Sequence, residues 1–281
     1  MDEGLFGDAA VIRRVAAESL LLAGGGRATL LQIAHPDVAR GVHDHSDFAE
    51  RPLDRLRTTM TYVYGVLFGT RAEGEAISRA VAAVHRRVTG PGYRADDPDL
   101  QVWVNATLFD TAVLLYQRVF GPLPDAELDT CYQQYSVLAT SIGCPADAWP
   151  ADRAAFQRYW AHMIETVRVG APAREIASAL LRPATMPAVL RPGIPFHRFV
   201  TVGLLPEPIR AGYGYTWSAR QQRRLDRGLS VTSAVYPRVP LVLRHALKDH
   251  YLRDLRQRLA RRGQPRWTPP SPSGAPTPPV G

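Results

Sequence analysis

Eight histidines carry most of the chemistry this sequence could do: His35, His43, His45, His85, His162, His197, His245 and His250. None forms an HExxH pair, and His43-x-His45 is too short to define a metal site alone. His245 and His250 stand five apart and point to different helix faces. His85 differs from the rest. Ile77, Val81, Val84 and Val88 recur at steps of four, three and four, the mark of a buried helical stripe. His85 follows Val81 by four, so it sits on or beside that stripe. A buried imidazole must be satisfied, either as a hydrogen-bonded core residue or as the ligand of a metal or haem. Arg86 and Arg87 follow it. Guanidinium groups there could pair with haem propionates or be solvated.

Arg57 and Thr61 form a second constellation. They are four apart and share a helix face that is otherwise apolar, with Leu53, Leu56, Met60, Tyr64 and Leu67. An inward polar pair is a buried network or a site. The alternative is an exposed Arg57 with Thr61 bonded back to its own helix. Gly24-Gly25-Gly26-Arg27 precedes a helix, where a phosphate could bind. A helix comes before it rather than a strand, and no Lys-Ser/Thr follows, so the dinucleotide and P-loop patterns fail. A helix C-cap with a tight turn is the plainer reading. No Gly-x-Ser-x-Gly elbow appears. Cys131 and Cys144 match no zinc spacing and read as reduced, buried thiols.

These residues need elements to position them, and the periodicity is helical nearly throughout. Helices fit 8–22 and 27–41, with the glycines between them. A loop then carries His43, Asp44, His45, Ser46 and Asp47. Further helices fit from Pro52 to about Phe68, 72–88, Asp97-Pro98 to about Val119, 125–140, 151–168, 173–181, 218–229 and 240–262. The stretch from Pro183 to Pro208 reads as irregular with short helices. No alternating strands and no repeat appear. The expectation is one all-α domain over residues 5–262. Residues 264–281 hold seven prolines and form a disordered tail.

The chain has 281 residues, 46% apolar and 21% charged, which excludes a disordered chain, a collagen and a coiled-coil rod. Lys and Arg total 34 against 26 acids, a net charge of +8, and Lys248 is the sole lysine. A basic protein raises a nucleic-acid reading. The basic stretches 219–227 and 252–262 follow no helix-turn-helix pair, and acids interrupt both. No signal segment opens the sequence and no apolar run spans a membrane, so a cytoplasmic location is expected.

The blocks GGRA, LQ, AHP, GV, DHS and RP between Leu21 and Thr70, in that order, lead into His85-Arg86-x-Val88-x-Gly90. Tyr93-Arg94-Ala95-Asp96-Asp97-Pro98 and Trp103-Val104-Asn105-Ala106-Thr107-Leu108 follow. This ordered set, over roughly residues 10–230, resembles the mpaB-type oxygenases, which share a catalytic domain with the rubber oxygenases. The resemblance implies a helical fold of globin-like character around a b-type haem. It implies His85 as axial ligand, Arg86 at the haem, and Arg57 and Thr61 in the active site. Dioxygen and a hydrophobic or olefinic small molecule are the implied partners, with oxidative C=C cleavage the implied reaction type. His45 or Asp44 would give acid–base help from the adjacent loop.

The sequence also departs from that pattern. Met60 stands where the latex-clearing enzymes place a lysine over the iron. Their glutamate base has no secure match; Asp44, Asp47 and Glu50 are the candidates. Asn105 stands where many members carry a histidine. Met60, Tyr64, Trp103, Leu108 and Phe109 are candidate pocket residues, with core packing the plainer role. Two alternatives to an oxygenase stay open: a haem protein of peroxidase-like or sensor type, and a helical nucleic-acid-binding regulator.

Overall fold

A computed structural model describes residues 4–45, 52–183 and 188–261. The chain begins with α1 (Val11–Ala16), a 3-10 helix (Ser19–Gly24), α2 (Gly25–Ala34) and α3 (Pro36–His45). An antiparallel pair follows, α4 (Pro52–Phe68) and α5 (Arg71–His85). A small hairpin, β1 (Thr89–Gly90) and β2 (Tyr93–Arg94), leads to the long α6 (Pro98–Phe120). Next come α7 (Asp125–Tyr135), α8 (Val137–Thr140), α9 (Arg153–Thr166) and α10 (Ala171–Leu181). The chain closes with α11 (Ile194–Leu204), α12 (Glu207–Gly212), α13 (Ala219–Val235), α14 (Leu241–Arg244) and α15 (Ala246–Arg261). The fold is all-α, as the periodicity predicts; the two-residue strands are the departure. The proline-rich segment 264–281, and Ser46, Asp47 and Glu50, lie outside the described residues.

Local rules set the helix starts. Asp97 caps α6 by accepting the Asp99 amide at 2.9 Å, with Pro98 in the first turn. Thr70 and Glu73 form a reciprocal capping box on α5. The expected helix over 27–41 is two helices, because His35 before Pro36 is extended. The expected helix over 8–22 ends at Ala16. Beyond it Glu18 is extended and turns a buried carboxylate to Arg244 Nε at 3.0 Å. The expected irregular stretch contains α11, whose Val200, Thr201, Val202 and Leu204 are buried.

Helix α6 is the central strut. Val102, Ala106 and Phe109 face a core built from α1, α4, α5, α7 and α9. Trp103 faces a second core with α2, α3, α10 and α11. Trp103 stacks on Trp160 at 5.5 Å and donates Nε1 to the Leu31 and Gln32 carbonyls, both at 3.2 Å. Phe109 sits edge-on to Tyr132, Tyr135 and Phe156. Both aromatics are therefore core, the plainer of their two roles.

Glycines let helices close on one another. A Cβ on Gly24 would run into Thr111 and Leu115 of α6. One on Gly26 would run into Thr201 of α11. Gly24 and Gly26 thus serve helix packing, and Gly25 and Gly26 lie inside α2 rather than in a C-cap.

Candidate active site

The α4–α5 hairpin positions the two sequence constellations. Its helices meet closely: a Cβ on Gly65 would stand 3.1 Å from Ile77 Cγ2, and one on Gly74 would stand 3.5 Å from the Gly65 carbonyl oxygen. Eight residues further from the turn on each arm, Arg57 is level with the last turn of α5, Ala82 to His85. Thr61 is level with Ser78 to Val81 by the same register. Arg57 and His85 therefore share one end of the hairpin. Thr61 is 2% exposed, and Ser78 is buried. His85 is half-buried with its Nδ1 fully covered, and Arg86 is exposed just beyond it.

His45 reaches this end from α3. Its Nε2 lies 2.9 Å from the Thr89 carbonyl, in the hairpin that follows His85. Tyr93 donates its hydroxyl to Asp44 at 3.0 Å, and His43 Nδ1 lies 3.1 Å from the same carboxylate. Burial, and then Asp44, push the Tyr93 phenol up to about 12. His43 is raised by Asp44 above all, against burial, with Glu175 adding to the rise. Asp44 is held low, first by His43. This network clasps the end of α3, expected as loop but helical through His45, onto the hairpin. Arg94 holds Asp96 low through its hydrogen bonds, and the nearby charge of Arg86 adds a smaller pull.

Arg57 is exposed rather than turned inward with Thr61, and it is engaged by α15. Its Nε donates to Asp254 Oδ2 at 3.1 Å and its Nη2 to Oδ1. Gly65, two turns along the same face, meets Leu255. The α4 stripe carrying Arg57 and Thr61 thus runs under α15. Tyr64 packs near Tyr251 at 6.0 Å. The sequence marks 252–262 as a basic stretch interrupted by acids but does not show that Asp254 meets Arg57. The alternation of Leu252 and Leu255, both buried, with Asp254 and Arg258 was the available signal. Asn105 donates its amide to the Gln101 carbonyl at 2.8 Å within α6.

Among the described residues no three His, Cys, Asp or Glu side chains come together to hold a bare metal ion. No described helix is long and apolar enough to cross a membrane.

An all-helical chain with one buried-edge histidine at the end of a tight helical hairpin is the class this site defines. Residues 12–234 match the family described as ER-bound oxygenase mpaB/B'/Rubber oxygenase, catalytic domain. The chain therefore belongs to that oxygenase family. It is also 35% identical, over 245 residues, to uncharacterized proteins of Mycobacterium bovis and of Mycobacterium tuberculosis. Each alignment covers 84% of this chain and 96% of the relative. No solved structure matches the chain. Helices α14 and α15 lie beyond the family match.

Proposed function

We propose that this chain is a haem-dependent oxygenase acting on a hydrophobic or olefinic small molecule, with His85 as the axial ligand. The observation that carries the reading is His85 itself, a half-buried imidazole with its Nδ1 covered at the end of the α4–α5 hairpin. A haem brings its own four nitrogens and needs one imidazole. His85 offers that imidazole at a half-buried helix end, with Arg86 beside it for a propionate.

Haem, when bound, supplies the dioxygen and electron chemistry; the chain supplies position, polarity and exclusion of water. Thr61 holds a hydroxyl inside the hairpin seam, where it can orient a hydrogen bond. His45, steadied by the Thr89 carbonyl, can give or take a proton at the seam's open end. Arg57 can stabilise negative charge on an oxygen only after turning from Asp254. Oxidative C=C cleavage is the proposed reaction type and the cytoplasm the proposed location.

The test is an ultraviolet–visible spectrum of the purified protein. A Soret band, lost in His85→Ala with helicity retained, is expected. A colourless protein that hemin leaves spectrally unchanged would sink the proposal. Oxygen uptake with an olefinic substrate, lost in Arg57→Ala, separates an oxygenase from a haem sensor. A salt-dependent shift with DNA would favour the regulator instead.

A further inference from the structure

A second feature lies on α10 and α11, outside the hairpin. A solvent-open cleft of about 190 Å³ is lined by Arg174, Ser178, Leu181, Arg182, Arg198, Tyr213 and Tyr215, with Arg174, Ser178 and Arg182 exposed at its rim. Three guanidinium groups face it and no carboxylate does. Some arginines elsewhere find acids, as Arg27 does with Asp110 and Arg153 with Asp125 and Asp129. Among the described residues none of the three cavity arginines has a carboxylate within ion-pair distance.

The geometry is built by the helices. Arg174, Ser178 and Leu181 recur at steps of four and three on one face of α10, and Arg182 follows where the chain leaves the helix. Glu175, the adjacent acid, is turned away to His43 at 3.2 Å. Arg174 is steadied by donating Nη2 to the Gly212 carbonyl at 3.1 Å, which leaves its other donors for the cavity. Gly214, at φ +75°, makes the tight turn that sets Tyr213 and Tyr215 side by side, stacked at 5.8 Å. The Tyr213 hydroxyl is committed to the Leu30 carbonyl at 2.7 Å, so this aromatic wall is anchored to α2. Arg198 stands 6.0 Å from the Tyr215 ring. Burial raises both phenols, while Arg174 pulls on Tyr213, and Arg198 and Arg182 pull on Tyr215.

Like charges gathered on one cavity repel, and a doubly charged oxyanion relieves that cost. Guanidinium forks match phosphate oxygens in pairs. The volume suits a small molecule, and the tyrosine wall offers an aromatic or apolar surface for the rest of it. We infer that the cavity between α10, α11 and the Tyr213–Tyr215 turn is a binding site for a small, phosphate-bearing organic molecule, held by Arg174, Arg182 and Arg198. It is separate from the haem reading and does not depend on it.

The full-length protein should be titrated with inorganic phosphate, with phenyl phosphate, and with sodium chloride at matched ionic strength, following thermal midpoint and heat of binding. Phosphate and phenyl phosphate are expected to bind saturably, the phenyl ester more tightly, and chloride to do nothing comparable. The double variant Arg182→Gln, Arg198→Gln should lose at least ten-fold in phenyl phosphate affinity. If the double variant fails to fold by circular dichroism, the exposed Arg182→Gln alone should lose three-fold or more. His85→Ala should bind phenyl phosphate as the parent does, so a failed haem test leaves this one standing. An equal response to chloride, or unchanged affinity in the arginine variants, overturns the site. Retention on phosphatidic acid vesicles, without saturable phenyl phosphate binding, overturns the small-molecule source.

Discussion

Arg57 on α4 and Asp254 on α15 are joined by two hydrogen bonds, the Nε one at 3.1 Å. Arg258, one turn along α15, holds the same carboxylate at 3.0 Å. Beside this cluster Leu255 is fully buried, packed where Gly65 leaves α4 bare. An apolar anchor and a charged clamp thus bind α15 across the stripe that carries Thr61. Arg256 adds a second clamp, donating Nε to Glu73 of α5 at 2.9 Å.

Asp254→Asn should loosen α15 more than it destabilises the protein. Arg57 is partly exposed, so its pair is worth only about 0.2–1 kcal/mol. Faster hydrogen exchange along α15, with a thermal midpoint nearly unchanged, is expected. Burial alone would raise the Asp254 carboxyl, but Arg57 and Arg258 outweigh it and hold it low. A depressed carboxylate stabilises at pH above the ordinary aspartate value near 3.9 and stops doing so as pH falls through its lowered one. Parent and variant should therefore converge in acid. Equal α15 exchange rates in the two at neutral pH would contradict the clamp.

Arg27→Ala should cost far more. Arg27 is buried and joins three elements: Nε to the Leu204 carbonyl at 2.8 Å, Nη1 to Thr111 at 2.5 Å and Nη2 to Asp110 at 2.6 Å. Truncation leaves a carbonyl, a hydroxyl and a partly buried carboxylate without their donor. A loss of about 2–4 kcal/mol in chemical denaturation follows. Arg27→Ala with Asp110→Ala should recover part of it. A loss below 1 kcal/mol would show that water replaces the guanidinium at little cost.

Much of this was legible in the chain. The stripe through Ile77, Val81 and Val84 marked α5 and put His85 at its edge, because helical burial repeats locally. The four-residue step between Arg57 and Thr61 put them on one stripe but did not reveal that Arg57 would end exposed while Thr61 is buried. What covers that face did not show, since Arg57 and Asp254 are 197 residues apart and no local period links them. Pro36 was a visible break, yet the apolar period continued across it and masked the split between α2 and α3. The basic cavity was hidden for a third reason. Arg174 lies on α10 and Arg182 just past its end, but Arg198 and the tyrosines reach them only through the packing of α11 and the Gly214 turn.

Gly26→Ala tests the packing role of the glycine run. An added Cβ would fall within contact distance of Thr201 Oγ1 and 2.9 Å from His197 Nε2. Thr201 is buried, so α11 must shift to make room. A destabilisation of about 1–3 kcal/mol is expected, despite alanine's better helix propensity. Gly25→Ala, where the nearest atom is Leu56 Cδ1 at 4.0 Å, should be neutral or mildly stabilising. Equal effects at the two positions would mean the run serves flexibility rather than close approach.

His43 makes the contact between α3 and α10 depend on pH. It bridges Asp44 at 3.1 Å and Glu175 at 3.2 Å, and the two carboxylates, Asp44 foremost, raise its imidazole above the usual 6.5. A raised histidine stabilises fully below its unfolded value and stops doing so as pH rises through its folded one. The lost contribution is a few tenths of a kcal/mol, because all three side chains are well exposed. Chemical denaturation should therefore show the parent losing slightly more stability than His43→Gln as pH rises from 6 to 8. An imidazole titration by NMR should place His43 above the usual 6.5, and Asp44→Asn should lower it. A His43 midpoint at or below 6.5, or one unmoved in Asp44→Asn, would remove the bridge as a pH-sensitive tie.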